Sequence, residues 1–182
     1  MEEKSNSIFK AAVNLGIMLG LAMIIYSILL FFFNLHLNNY LDYVNYIIII
    51  AFLILGVKSF RDNNLNGVMS YSKALGLSTL IVLFSSIIYS IYSYFLVTII
   101  DPAYIDKLLA MAEEQLLKQG IPDDQIEMGL AMQKKMMKPV LLSVFGFVGN
   151  MFFGFILALI TSAIVKKEGD PYQEAMKDIN EE

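Results

Sequence analysis

Residues 140–165 read VLLSVFGFVGNMFFGFILALITSAIV, an apolar stretch without one charged side chain. A helix needs about 20 mostly apolar residues to cross the hydrocarbon core of a bilayer. Three comparable stretches precede this one, at residues 11–33, 40–57 and 75–100, and Asp42 is the only charged residue in any of the four. The sequence therefore predicts an all-α integral membrane protein, folded as a bundle of four spanning helices.

The overall composition agrees with a membrane protein and excludes several other classes. Of the 182 residues, 57% are hydrophobic, whereas a soluble domain has about 45–50% on a count that also includes glycine. The spans leave too few residues for a separate soluble domain, so we expect residues 1–182 to form a single membrane domain. The net charge is −4 without a basic stripe, so we expect no nucleic-acid partner. The absence of cysteine excludes disulfides and thiolate chemistry.

The connection between the third and fourth spans is long and carries helix signals. Asp101-Pro102 is a favourable start for a helix, and Gly120 is placed to end it. Between them, one helical face is apolar: Ile105, Leu108, Leu109, Ala112 and Leu116. Pro122 then starts a second helix. We predict an extramembrane helical hairpin over residues 102–138, and a polar tail over residues 166–182.

Two spans carry small or weakly polar residues at intervals of about four. Small residues at this spacing let a second membrane helix approach closely. In the first span they are Ala12, Gly16 and Gly20, and in the fourth Gly146, Asn150, Gly154 and Ala158. We expect both sets to be helix-packing seams, with the seam of the first span as a candidate partner for the seam of the fourth.

The distribution of Lys and Arg predicts the orientation. With both termini in the cytoplasm, eight basic residues lie inside: Lys4, Lys10, Lys58, Arg61, Lys73, Lys166, Lys167 and Lys177. The hairpin then places five on the outside: Lys107, Lys118, Lys134, Lys135 and Lys138. Cytoplasmic loops carry the excess of positive charge. We therefore expect a multi-pass protein of the cell membrane whose N- and C-termini are both cytoplasmic.

Three patterns resemble sites of chemistry, and each has a simpler structural explanation. His36 is the only histidine and lies among asparagines in a short connection, where a solvated connector is the simpler interpretation. Ser70 and Lys73 match the Ser-x-x-Lys pattern of penicillin-binding hydrolases, but this chain is too small for that fold, and a lysine base must be desolvated.

The acidic residues of the hairpin are the third such pattern. They form two groups: Asp101, Asp106, Glu113 and Glu114, then Asp123, Asp124 and Glu127. Neither group has the ligand spacing of an EF-hand, and solvated helix faces explain both. We therefore expect no enzyme activity, and we assign no catalytic, cofactor-binding or metal-binding residue.

Three segments of the chain resemble a known family. The first is residues 57–78, with Phe60-Arg61-Asp62 and Ser70-Tyr71-Ser72-Lys73-Ala74. The second is Asp101-Pro102-Ala103-Tyr104, followed by Ala112-Glu113-Glu114. The third is the apolar ending at residues 157–167. In this order they are similar to the four-span bacterial membrane proteins of domain-of-unknown-function family 4199. The resemblance implies a multi-pass protein of the bacterial envelope, in the cytoplasmic membrane, without an assigned activity. It implies no catalytic residues.

These features favour a protein that acts through contacts, as an interaction, assembly or regulatory component. Its expected partners are membrane lipid and either another protein or a second copy of itself. The residues predicted to form a partner surface are Arg61, Tyr71, Ile105, Leu108, Leu109 and Leu116. A subunit of a small transporter or channel, with a pore lined by Asn150 and serines, is the alternative. A membrane enzyme that depends on Lys73 or Asp101 is a third class.

Overall fold

The computed structural model describes residues 2–168 and consists of helices joined by short connections. Their bounds are α1 Glu2–Phe32, α2 Asn39–Asn64, α3 Tyr71–Phe95, α4 Tyr104–Lys118, α5 Asp123–Met136 and α6 Pro139–Val165, with a π-helical segment, Leu96–Ile100, that extends α3. By length and composition, α1, α2, α3 with its extension and α6 can each cross a membrane. The predicted all-α, four-span architecture is confirmed. Most of the predicted polar tail, residues 169–182, lies outside the described residues.

The helices that border the second connection are longer than the hydropathy of the chain predicts. The second span was expected to end at residue 57, but α2 continues for two further turns to Asn64. Charged residues are compatible with these turns because a helix can leave the apolar layer without unwinding. The helix ends where Asn66 and Gly67 adopt positive φ angles of 52° and 80°. The third helix then starts at Tyr71, one turn before the predicted residue 75.

The third helix is the centre of the bundle. Its main neighbours are α1 and α6, while α2 packs chiefly against α6 and α1. Leu77 and Ile81 of α3 are fully buried, together with Leu19 of α1 and Leu53 of α2. Two serine hydroxyls, Ser78 and Ser162, meet 3.3 Å apart between α3 and α6. The residues buried most deeply on α3 therefore form the core that holds the other spans.

The small residues of the two predicted seams contact α3 rather than each other. A Cβ atom added at Gly16 would lie 2.6 Å from the Cβ of Phe84, and one at Gly20 would lie 3.1 Å from Ile88. On α6, a Cβ atom added at Gly154 would overlap the side chain of Val82. The backbones of α1 and α6 thus approach α3 from two sides, and a larger residue at Gly16 or Gly154 would require neighbouring atoms to shift.

The remaining seam residues differ in their surroundings. Ala12 and Ala158 are fully buried, and Asn150 is half-buried. At Gly146, no atom lies within 4 Å of an added Cβ, so this glycine faces open space. The tight packing of α6 therefore lies in its second half, toward its C-terminus.

The two hairpin helices pack against each other. Within residues 104–136, Ile126 of α5 is the one residue that is more than nine-tenths buried. No residue of α4 is buried to that extent. Gly120 adopts a φ of +73° after α4, as expected for a glycine that ends a helix. Pro122 caps α5, and Pro139 lies in the first turn of α6. The short connections keep both ends of the hairpin next to the bundle.

Candidate functional site

The base of the hairpin contains a buried cluster of ionisable side chains. The Nε2 atom of His36 lies 3.3 Å from Oδ2 of Asp101, and these side chains are only 8% and 7% exposed. The ammonium group of Lys107, in the first turn of α4, donates a hydrogen bond of 2.7 Å to the same oxygen. The cluster joins the connection between α1 and α2 to the start of the hairpin. It is the only such cluster with two deeply buried members in residues 2–168.

Local backbone geometry brings Asp101 to this position. The π-helical segment ends with a hydrogen bond of 2.7 Å from the amide of Asp101 to the carbonyl of Leu96, and the amide of Tyr104 then donates to the carbonyl of Asp101. A π-helical turn adds a residue to a helix and often marks a functional site. Here it lets the chain change direction, and it leaves Asp101 directed into the bundle.

Aromatic rings enclose the imidazole of His36. The ring of Phe31 lies 5.3 Å from it, centroid to centroid, and the ring of Tyr104 stacks on it at 6.0 Å. Burial, followed by the negative charges of Asp42 and Asp101, raises the pKa of Tyr104 above its ordinary 10.0. The Tyr104 hydroxyl therefore stays neutral near pH 7, and the imidazole of His36 lies between aromatic rings and against the carboxylate of Asp101.

A small polar cavity of about 90 Å³ adjoins this cluster. Its polar walls come from α1, α2, α3, α4 and the first connection: Ser27, His36, Asp42, Asn45, Tyr89, Ser93 and Tyr104. Both ring nitrogens of His36 and the Oδ1 atom of Asn45 are buried without a well-aligned hydrogen-bond partner. Because liquid water occupies about 30 Å³ per molecule, the cavity has room for roughly three waters or for one small polar ion.

An open groove between α4 and α5 is the second candidate site. Its volume is about 610 Å³. Its apolar floor is formed by Leu109, Leu117, Ile126 and Leu130. Four carboxylates, Asp106, Glu113, Asp123 and Glu127, line it with a single ammonium group, that of Lys134. The ammonium lies 3.5 Å from Asp106, so the remaining three carboxylates give the groove a negative character.

The residues predicted to form a partner surface are divided between two regions. On α4, Ile105, Leu108, Leu109 and Leu116 are half-buried, and Leu109 is the one that lines the groove. At the opposite end of the bundle, the guanidinium of Arg61 donates to the carbonyl of Val165 at 2.7 Å, and the Tyr71 hydroxyl donates to the carbonyl of Leu159. Both of these side chains form contacts within the chain, to the last turns of α6.

The other residues considered as sites of chemistry remain apart. Lys73 is exposed in the first turn of α3, where water would solvate its ammonium group. Within residues 2–168, no group of three or more His, Asp or Glu side chains is arranged to hold a metal ion. Asp101 is paired with Lys107, and Glu114 with Lys118 at 2.6 Å. The first acidic group is therefore divided: Asp106 and Glu113 line the groove, while Asp101 and Glu114 form separate ion pairs.

His36 and Asp101 differ from what the sequence predicts. His36 is not a solvated connector and Asp101 does not lie on a solvated helix face, because their side chains are buried against each other. The signal that could have found this pair is topology: residues that follow the first span and residues that follow the third must lie on the same side of the membrane. His36, Asp42 and Asp101 all lie at that end of the bundle.

The sequence profile of the family described as "Protein of unknown function (DUF4199)" matches residues 14–167, which include most of the first span, the other three spans and the hairpin. No curated protein and no solved structure matches the chain.

Proposed function

This chain belongs to the DUF4199 family of proteins of unknown function, and we propose that it acts by binding, as a non-enzymatic component that holds a partner protein at the membrane. The groove between α4 and α5 is the proposed contact site. The partner segment that fits it is helical or extended, carries Lys or Arg, and inserts apolar side chains between the two helices. The protein would then serve in assembly or regulation within the cell membrane.

The observation that carries this proposal is the combination of an apolar floor with a negative rim. The floor residues Leu109, Ile126 and Leu130 offer apolar surface to an inserted side chain. Of the rim carboxylates, Glu113, Asp123 and Glu127 make no ion pair within residues 2–168. Complementary charge steers association and selects partners, so a basic segment is favoured over a neutral or acidic one.

The direction of the groove follows from the proposed orientation. We place the N- and C-termini in the cytoplasm, since this arrangement puts most of the Lys and Arg residues inside. The hairpin then lies on the outer side of the cytoplasmic membrane, together with His36 and the polar cavity. The partner would be a protein, or a second copy of this chain, that presents its basic segment on that side.

Charge reversal inside the groove tests the proposal. Full-length protein with Glu113→Lys and Glu127→Lys would be purified from native membranes in mild detergent after chemical crosslinking. We expect the partner captured by the unchanged protein to be lost. Glu114→Lys, next in sequence but absent from the groove lining, is the matched control and should retain it. Equal capture by both variants, or no partner for the unchanged protein, would contradict the proposal.

The polar cavity favours a second candidate, a subunit of a small transporter or channel. Ionisable residues near the apolar layer are costly and often mark ion pathways, and Asp42 lies on the cavity wall beside the unpartnered Oδ1 of Asn45. Reconstituted protein should then conduct a proton or a small cation, and Asp42→Asn should abolish the flux. Absence of any flux in the unchanged protein would exclude this second function.

A further inference from the structure

A row of methionines on α5 is largely exposed. Met128, Met132 and Met136 recur every four residues and are 75%, 69% and 58% exposed. Residues spaced by four lie on the same face of a helix. Exposure of three long thioether side chains to water is unfavourable, because each CH₂ group that is removed from water lowers the free energy. We call this row the methionine face, and its burial against another surface would be favourable.

The methionine face is continuous with the exposed apolar surface of α6. Only Met137 and Lys138 separate the two helices, and the first two turns of α6 expose Val140, Val144 and Phe145. Since α6 is long and apolar enough to cross a membrane, those side chains would face acyl chains. The methionine face continues this surface past the point where α6 leaves the apolar layer.

The chain bends sharply between α5 and α6. An apolar pocket of about 380 Å³ has Gly129 and Met132 of α5 on one wall and Leu142 and Phe145 of α6 on the other. If the two helices shared one axis, Gly129 and Phe145 would be about 24 Å apart at 1.5 Å per residue, too far to line one pocket of this size. The helix α5 is therefore folded over toward the side of α6, which places Met132 and Met136 beside the first turns of α6.

We propose that α5 lies along the bilayer surface, with its methionine face among the acyl chains, and that the pocket in the bend binds one chain of an anionic lipid. Amphipathic helices lie in the membrane interface in this way, with the apolar face down and charged groups at headgroup level. Methionine suits such a surface because its unbranched side chain adapts to irregular partners.

The charges beside the pocket select an anionic headgroup. Lys135 and Lys138 are exposed and make no ion pair within residues 2–168. Both lie within three residues of Met136, so their ammonium groups can extend to the headgroups while their carbon stems cover apolar surface. Clusters of basic residues at a membrane surface favour anionic lipids.

This orientation leaves the groove between α4 and α5 open to water. At 100° per residue, Met132 lies about 160° around α5 from Lys134, which lines the groove. The two surfaces of α5 are thus on nearly opposite sides. A bilayer that covers the methionine face does not cover the groove, so the lipid contact and the proposed protein contact are independent.

The test uses tryptophan fluorescence, because the chain contains no tryptophan. Met128→Trp, Met132→Trp and Met136→Trp would each be made in the full chain and reconstituted into vesicles of phosphatidylcholine and phosphatidylglycerol with brominated acyl chains. We expect blue-shifted emission and strong bromine quenching for all three variants. Glu127→Trp, on the groove side of α5, is the matched control and should be quenched by aqueous iodide instead. Far-UV circular dichroism would establish that each variant retains its helices.

Three outcomes would overturn the proposal. If only Met136→Trp is quenched by bromine, the hairpin stands upright. If the methionine-face variants show a blue shift without bromine quenching, protein covers the face, either as a second copy or as a partner. If iodide quenches them as strongly as Glu127→Trp, the face is in water. Anionic selectivity has its own test. When only phosphatidylglycerol is brominated, adding Lys135→Gln and Lys138→Gln to the Met132→Trp variant should weaken its bromine quenching, and an unchanged signal would remove that part of the proposal.

Discussion

The imidazole of His36 contacts the carboxylate of Asp101 at 3.3 Å, which joins the connection between the first two spans to the start of the hairpin. Both side chains are more than nine-tenths buried. The contact makes the position of the hairpin depend on the first two spans as well as on α3. Lys107 binds the same carboxylate at 2.7 Å and lies on α4 itself.

Removal of the Asp101 charge should loosen the base of the hairpin. We expect Asp101→Asn to lower the free energy of unfolding by about 1.5–3 kcal/mol, the usual contribution of a hydrogen bond to a charged group. Thermal unfolding in detergent would measure the change. Asp106→Asn is the control, because Asp106 is 71% exposed and its pair with Lys134 at 3.5 Å is a solvated one. Equal effects of the two substitutions would show that the buried cluster does not stabilise the fold.

High pH should weaken the same region through Tyr104. The pKa of this phenol is raised by burial first, and then by Asp42 and Asp101. The phenol ionises at lower pH in the unfolded chain than in the folded one, so its stabilising contribution is complete below about pH 10 and is lost as the pH rises through the folded pKa. The difference in unfolding free energy between the unchanged protein and Tyr104→Phe should therefore be constant below pH 10 and should shrink above it. A difference that is independent of pH would contradict this assignment.

Glycine substitutions on α1 and α6 should have opposite effects according to their neighbours. Gly16→Ala places a Cβ atom 2.6 Å from that of Phe84 and 3.0 Å from the carbonyl of Ile81, and we expect a loss of about 1–3 kcal/mol from overpacking. Gly154→Ala places a Cβ atom against the side chain of Val82 and should also lower the stability. Gly146→Ala has free space, so better helix propensity should leave the stability unchanged or raise it by up to about 1 kcal/mol. Unfolding in mixed micelles of denaturing and mild detergent would compare the three variants.

Arg61 should stabilise the end of α6 rather than bind a partner. Its side chain is 12% exposed, bonds the carbonyl of Val165 at 2.7 Å and pairs with Asp62. Next to this contact, the backbones of Met69 and Lys167 exchange hydrogen bonds of 2.8 and 3.0 Å. We expect Arg61→Gln to cost about 1–3 kcal/mol and to speed hydrogen exchange in the last turn of α6 and at Met69 and Lys167. Lys58→Gln, which removes an exposed charge of the same helix, is the control. Normal exchange in Arg61→Gln together with loss of a bound partner would instead support a partner surface here.

The sequence predicts well those features that depend on local chemistry. Hydropathy locates the four spans, and the glycine and prolines at Gly120, Pro122 and Pro139 mark the hairpin and the start of α6. The extension of α2 to Asn64 was missed because hydropathy reports where the apolar layer ends, which need not be where the helix ends. The helix ends at the turn formed by Asn66 and Gly67.

Features that depend on how the helices are arranged cannot be predicted from the sequence in this way. Small residues at intervals of four indicate that a helix packs closely, but they do not name its neighbour, so the pairing of Gly16 and Gly154 with α3 emerged only from the fold. The contact between His36 and Asp101 depends on how a short connection folds over the end of the bundle. A lone histidine among asparagines carries no pattern that distinguishes a buried side chain from a solvated one.

The hairpin should unfold separately from the spans when its one deeply buried side chain is removed. Ile126 is 4% exposed and α4 contributes no residue buried to that extent, so Ile126→Ala should cost about 2–5 kcal/mol, while α1, α2, α3 and α6 keep their own core. We expect faster hydrogen exchange throughout α4 and α5 and faster proteolysis at residues 119–122, with unchanged exchange in the spans. Met128→Ala, on the exposed face of the same helix, is the control and should leave the hairpin protected in detergent. If exchange in the spans accelerated as much as in the hairpin, the two parts would unfold as one unit, because the contacts of Asp101 would couple them more strongly than the packing of Ile126 suggests.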